Sequence, residues 1–255
     1  MISKTQSSKI LNALMGISDF DAPSTVYLGL CASEPDVTTG AVTNAGEPSS
    51  VASYERKKVG GTSVDTQYFG TSSQTGIISN KTEIQLKTAR EDYPAKINYW
   101  FLSSGATGAA YIWGRIKDVL CDTKTVSGFM AETTYNTYVA QTTVDNLLDL
   151  QEGETYIVSW DGKEYEEIAT LVEQGGASCI VLGNPYAYGG ERNDIPFSVF
   201  YTVTTTGTET VGNLKIYSLT GESAHEVTIY GIGIDVKKAT VPTFYEGELQ
   251  ARIDA

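Results

Sequence analysis

His225, in AHEVTIYG, is the chain's single histidine and so the one side chain whose ordinary pKa suits proton transfer near neutral pH. A serine hydrolase would pair it with a nucleophile on a Gly-x-Ser-x-Gly elbow, and the sequence contains no such elbow. Alternation with Val227 and Ile229 instead places His225 in a strand, as a structural or surface residue. Carboxylates are denser: Glu152, Glu154, Asp161, Glu164, Glu166 and Glu167 crowd one short stretch. A glycoside hydrolase needs two carboxyls facing each other across a cleft about 5–10 Å wide, one with its pKa raised by burial. In a chain with 31 acidic residues the cluster is expected as a solvated hairpin, with glycan cleavage through residues 164–167 as a rival reading.

Metal and phosphate chemistry find less support. The acids lack the Asp-x-Asp-x-Asp-Gly spacing of a calcium loop. Cys31, Cys121 and Cys179 are odd in number and far apart, which suits neither a zinc site nor a disulfide framework, and they are expected as buried small hydrophobes. GTSSQTG at 70–76 has no lysine and GIGID at 231–235 has no following helix, so neither forms a phosphate loop. No catalytic residue, cofactor or metal ligand is assigned. The aromatics offer binding chemistry: Trp160, Tyr186 and Tyr188 are candidate glycan-binding residues, flat faces for stacking on a sugar with Asp161 or Asn184 near its hydroxyls. Core packing or a subunit contact is the rival role for all three. Arg56, Lys57 and Lys58 form the densest basic triplet, expected as a solvated strand edge that discourages unwanted pairing in preference to an anion site.

These residues need a scaffold, and the composition describes it. Sixteen tyrosines, 25 glycines and much Thr, Ser and Val imply short strands and tight turns, hence an all-β fold. A net charge of −13 argues against a nucleic-acid partner. The N-terminus lacks a signal-peptide core, and no apolar run reaches the length of a membrane span, so the chain is expected to stay in the cytosol or to assemble there into something larger. Residues 3–15 are the one convincing helix, with Ser3, Ser7 or Ser8 as cap and Ile10, Leu11 and Leu14 on one face. So short a helix is expected to lie against a sheet of its own subunit or of a neighbour.

Strand patterns follow at 24–33 and, after a Gly/Ser-rich excursion, as a half-exposed strand within 77–87. A central aromatic hairpin occupies 96–117. Thr123 opens a polar stretch to Asp145 that reads as a linker with one or two edge strands. Asp161-Gly162 then supplies the positive φ angles of a two-residue hairpin turn between Tyr156-x-Val158-x-Trp160 and Tyr165. Further strands occupy 178–183, 196–203, 213–220 and 225–235, and Leu249, Ala251 and Ile253 alternate in a last one. The change of style after Lys117 and its reversal near Gly233 imply an antiparallel β-sandwich base domain, residues 1–121 plus 234–255, with a short N-terminal helix. A second small β-sandwich or barrel, residues 122–233, is inserted in it and faces outward.

STVYLGLCASEP, the YERKKV strand, ISNKTEIQLKTA, the Trp-containing hairpin and the closing Thr240-Val241-Pro242 turn resemble small structural proteins of tailed bacteriophages, of the tail-fibre or head-decoration type. LQEGETYIVSWDGKEYEE and the strands after it look like a β module of other phage virion proteins. The resemblance implies a non-enzymatic virion subunit, made in the host cytoplasm, that forms a homo-oligomer and docks on capsid, neck or tail through its base domain. Its implied partners are other copies of itself and other virion proteins, with neither nucleic acid nor membrane insertion; as an alternative of a different class, the aromatic residues Trp160, Tyr186 and Tyr188 offer a carbohydrate-binding host-adhesion module whose partner is a host-surface glycan.

Overall fold

The computed structural model describes residues 1–19, 22–51, 53–63, 68–70, 77–126, 140–143, 150–174, 177–183, 195–206, 209–218 and 224–252. Helix α1 (Lys4–Leu14) precedes β1 (Val26–Cys31), β2 (Lys57–Gly60), β3 (Ile77–Ser79), β4 (Ile84–Gln85), β5 (Tyr99–Ser103) and β6 (Ala110–Arg115). Then come β7 (Lys117–Val126), β8 (Ala140–Thr143), β9 (Thr155–Trp160), β10 (Lys163–Ile168), β11 (Thr170–Gln174) and β12 (Ala177–Gly183). The last are β13 (Phe197–Thr206), β14 (Glu209–Ser218), β15 (His225–Ile232), β16 (Thr243–Phe244) and β17 (Gln250–Arg252). The chain divides into two compact units, Met1–Lys117 with Gly233–Ala255 and Asp118–Ile232.

The first unit is built on an antiparallel sheet of order β2-β1-β5-β6. Alternation along β1 and β5 explains why the sequence carries large side chains on both faces. Leu28 pairs with Leu102 and Leu30 with Trp100, and these four join Ile84, Ile97, Phe244 and Leu249 in one core. Each fully buried large apolar side chain contributes about 1.5–3 kcal/mol to folding. On the other face Phe101 lies between Gly29 and Trp113 and packs with Cys31, Val42, Ala45 and Ala110. Gly29 is required by this packing: a Cβ there would stand 2.2 Å from Phe101 Cζ. The half-exposed strand expected within 77–87 is two short strands, β3 on β17 and β4 on β16, because Asn80 breaks the run. Its amide donates to the carbonyls of Thr82 and Tyr245 and its oxygen accepts from Leu249 N.

α1 begins at Ser3, whose hydroxyl accepts from Gln6 N, and ends before Gly16 at φ +68°. Its entry is stitched to the first unit: Ile2 bridges Ile112, Ser3 N donates to Tyr111 O and Lys4 N to Val37 O. No residue of the helix itself is buried.

The second unit has two antiparallel sheets, β10-β9-β15-β7 and β11-β12-β13-β14-β8. Val158, Val227 and Ile229 of the first sheet share a core with Leu182, Phe197, Val199, Leu214 and Ile216 of the second. β9 and β10 form the hairpin expected at Asp161-Gly162, with φ +48° and +78° at the two turn residues. The polar stretch after Lys117 supplies β7 and the short β8.

Candidate functional site

In the first unit the most organised polar constellation is one the basic triplet concealed. Arg56 is 8% exposed, whereas Lys58 lies at the surface as expected. The edge reading fails for Arg56 because its side chain turns inward over the Phe101 ring, 4.7 Å from the centroid. Nε and Nη2 donate to the two oxygens of Glu47 at 2.7 and 2.8 Å, a bidentate pair. Nη1 donates to Ser103 Oγ and Gly105 O, and Nη2 also to Gly108 O. Tyr54 completes the group: its hydroxyl donates to Glu47 Oε1 and accepts from Leu30 N, each at 2.9 Å.

Burial, together with the Glu47 charge, raises the Tyr54 pKa. The same two causes push the Cys31 thiol up to about 12, with Arg56 opposing, so Cys31 is no nucleophile. The knot ties the excursion (Glu47), the residue just before β2 (Arg56), and the end of β5 with the turn that follows it (Ser103, Gly105 and Gly108) into one piece. Beside it runs an open groove of about 730 Å³ lined by Tyr27, Thr43, Ser49, Glu55 and Thr107 among others. A smaller hollow of about 380 Å³ lies by Lys57, Lys58 and Lys87. Lys87 meets Glu55 at 3.2 Å. Sequence reasoning missed Arg56 because its partners lie nine and some fifty positions away with no shared period; the one local signal was the aromatic Tyr54 two residues before it.

In the second unit the β9–β10 turn brings Asp161 to the start of β15. Its Oδ1 accepts from Glu226 N at 2.8 Å and its Oδ2 lies 2.7 Å from His225 Nδ1. The His225 hydrogen bond, then the Glu226 N–H, hold the Asp161 carboxyl below the usual carboxylate range. The pair resembles an acid that orients a base, but what it does here is fasten a turn to a neighbouring strand.

Trp160 is 4% exposed, with Phe197 stacked on it at 5.5 Å and His225 at 4.6 Å between centroids. Its faces are therefore taken up by protein, and it is a core residue of this unit, where the sequence had offered it as part of an open platform. Tyr186 and Tyr188 lie outside the described residues. Of the acids, Glu164 and Glu166 are exposed on one face of β10, while Glu167 is buried on the other, opposite Tyr156. Strand geometry thus turns Glu166 and Glu167 apart. Among the described residues no group of three or more His, Cys, Asp or Glu could hold a metal ion. The three cysteines are buried and free, as their composition suggested.

The remaining feature is apolar. Leu11, Leu14, Met15 and Ile17, along and just beyond α1, are 60%, 77%, 75% and 73% exposed. No other segment of the described chain gathers so many exposed large apolar side chains. Among the described residues no helix is long and apolar enough to cross a membrane.

Residues 1–118 match a family model described as podophage GP4 fiber I protein gp80. The match takes in α1, the knot and the whole β2-β1-β5-β6 sheet. No curated protein matches the chain. Over this span the chain is similar to a phage fibre protein, which supports a bacteriophage virion structural protein.

Proposed function

We propose that this chain is a non-enzymatic virion subunit that associates with copies of itself and docks on the particle, at head, neck or tail, through the unit formed by residues 1–117 and 233–255. The unit of residues 118–232 then faces solvent. The observation that carries the reading is the fibre-family match over residues 1–118, which falls on the first chain segment of the proposed docking unit. Two structural features support it. The polar constellations are spent on internal ties, and α1 leaves an apolar face for another surface.

Immunogold labelling of intact particles tests it, using one antibody raised to a peptide from residues 150–170 and one to a peptide from residues 1–19. Label at discrete positions with the first and none with the second is the expected result. Equal labelling by both, or by neither, contradicts the proposed orientation.

A further inference from the structure

The two hollows of the first unit share a wall. The groove of about 730 Å³ and the smaller hollow of about 380 Å³ are both lined by Tyr27, Glu55 and Arg56, so together they form one trough beside β2, of the size that small-molecule sites have. Its two ends differ in chemistry. Lys57, Lys58 and Lys87 stand around the small end, and the exposed Thr43, Ser49 and Thr107 along the large one, where the Glu47 carboxylate lies in the floor.

The charges do not cancel at the small end. Arg56 is spent on Glu47 and the hairpin carbonyls, and Lys87 meets Glu55 at 3.2 Å, which leaves Lys57 and Lys58 in surplus. Both ammoniums are held at ring faces, Lys58 at 5.9 Å from the Tyr27 centroid and Lys57 at 6.0 Å from that of Tyr68, contacts that position a cation without neutralising it. In a chain of net charge −13 this is a local reversal of sign. Guarding a free strand edge explains it poorly, because the edge of β2 is already met at Val59, whose carbonyl accepts from Tyr68 N at 3.0 Å.

The mixture of groups selects among anions. A small inorganic anion would use the lysines and leave the large end idle. An acidic peptide would bring its carboxylates against Glu55 and Glu47. A sugar acid uses both ends: its carboxylate pairs with ammoniums, while its hydroxyls donate to the protein carboxylates and exchange hydrogen bonds with threonine and serine.

We propose that this trough binds an acidic oligosaccharide, with a carboxylated ring at Lys57 and Lys58 and the next rings along Thr43, Ser49 and Thr107. The site belongs to the first unit, whereas Trp160, where the sequence offered a sugar platform, belongs to the second. It goes beyond the virion role proposed above and does not depend on it.

Titration of the full chain with trigalacturonate, followed by backbone amide NMR, tests the proposal, with neutral maltotriose and hexaglutamate as the competing probes. Saturable shifts within residues 43–49, 55–58 and 85–87 are expected with trigalacturonate, at an affinity ~10-fold or more above that for either other probe. Lys57→Gln with Lys58→Gln weakens trigalacturonate ~10-fold or more, by removing charged donors, and Thr43→Val with Thr107→Val weakens it ~5-fold at the other end. These side chains lie at the surface or half-buried, and an unchanged amide spectrum outside the trough shows that each variant is folded. Hexaglutamate binding as tightly as trigalacturonate would mean that the trough reads charge alone and overturns the proposal. So do shifts that never saturate, and so does an affinity left unchanged by the lysine pair. Sugar binding in solution is read independently of particle labelling, so failure here leaves the virion reading standing, and failure there leaves the sugar site standing.

Discussion

Arg56→Met cuts through the polar knot of the first unit while keeping much of the side chain's bulk. The change removes the bidentate pair, the bonds to Ser103, Gly105 and Gly108, and the cation over Phe101. It strands the Glu47 carboxylate, whose side chain is 12% exposed, with Tyr54 as its partner. Removing one member of a buried ion pair costs about 3–5 kcal/mol, chiefly because the other charge is left uncompensated. If that origin is right, Arg56→Met with Glu47→Leu, which removes both charges, costs less than Arg56→Met alone, a coupling of ~1.5 kcal/mol or more. Urea unfolding followed by tryptophan fluorescence in a Trp160→Phe background isolates the first unit, since Trp100 and Trp113 both belong to it. With a slope of ~2 kcal/mol per molar urea, the midpoint of Arg56→Met falls by ~2 M. A fall of less than ~0.5 M, or a double variant worse than the sum of the singles, refutes the buried-pair account.

Three further outcomes follow from the same structure. Gly29→Ala forces a methyl to 2.2 Å from the fully buried Phe101 ring and costs about 1–3 kcal/mol by thermal unfolding; adding Phe101→Leu recovers part of it, and no recovery would mean the clash is not with that ring. Asp161 has its carboxyl pKa depressed below 3.8, so its stabilisation is complete above that value and is lost as pH falls through the lower folded-state value. Acid titration of the second unit by Trp160 fluorescence should lose that step in Asp161→Asn, and an unchanged profile would remove Asp161 from the account. Finally, a thiol reagent at a pH of about 8 should find no reactive cysteine in the folded chain and all three after denaturation, as buried thiols require; prompt labelling of Cys31 would contradict its buried place in the first sheet.

Local chemistry was the part of the fold open to sequence reading. Asp161-Gly162 announced its hairpin because two successive positive φ angles have few other sequence solutions. The aromatic arms of β5 and β6 announced theirs because period-two alternation survives burial on both faces. Ser3 and the Ile10, Leu11, Leu14 spacing gave the helix, yet spacing cannot say which side is covered, and the half-buried side holds Gln6, Ile10 and Ala13 while Leu11 and Leu14 point out. For Trp160 the alternation left a stacking platform and core packing both open, and the structure decides it: the turn residue after it takes the surface position and Trp160 falls on the core side of β9. Arg56 was hidden for a different reason. A guanidinium can be buried only if five donors are met at once, and here those acceptors come from a loop and a distant hairpin tip, which no window along the chain brings together.

Quantitative mass spectrometry of gradient-purified phage particles tests the virion reading most directly. A structural subunit gives peptides from both residues 1–117 and 118–232, in a fixed copy number per major capsid protein that persists through repeated purification. Peptides that fall away with washing, or are found in the host lysate and not in particles, would contradict it.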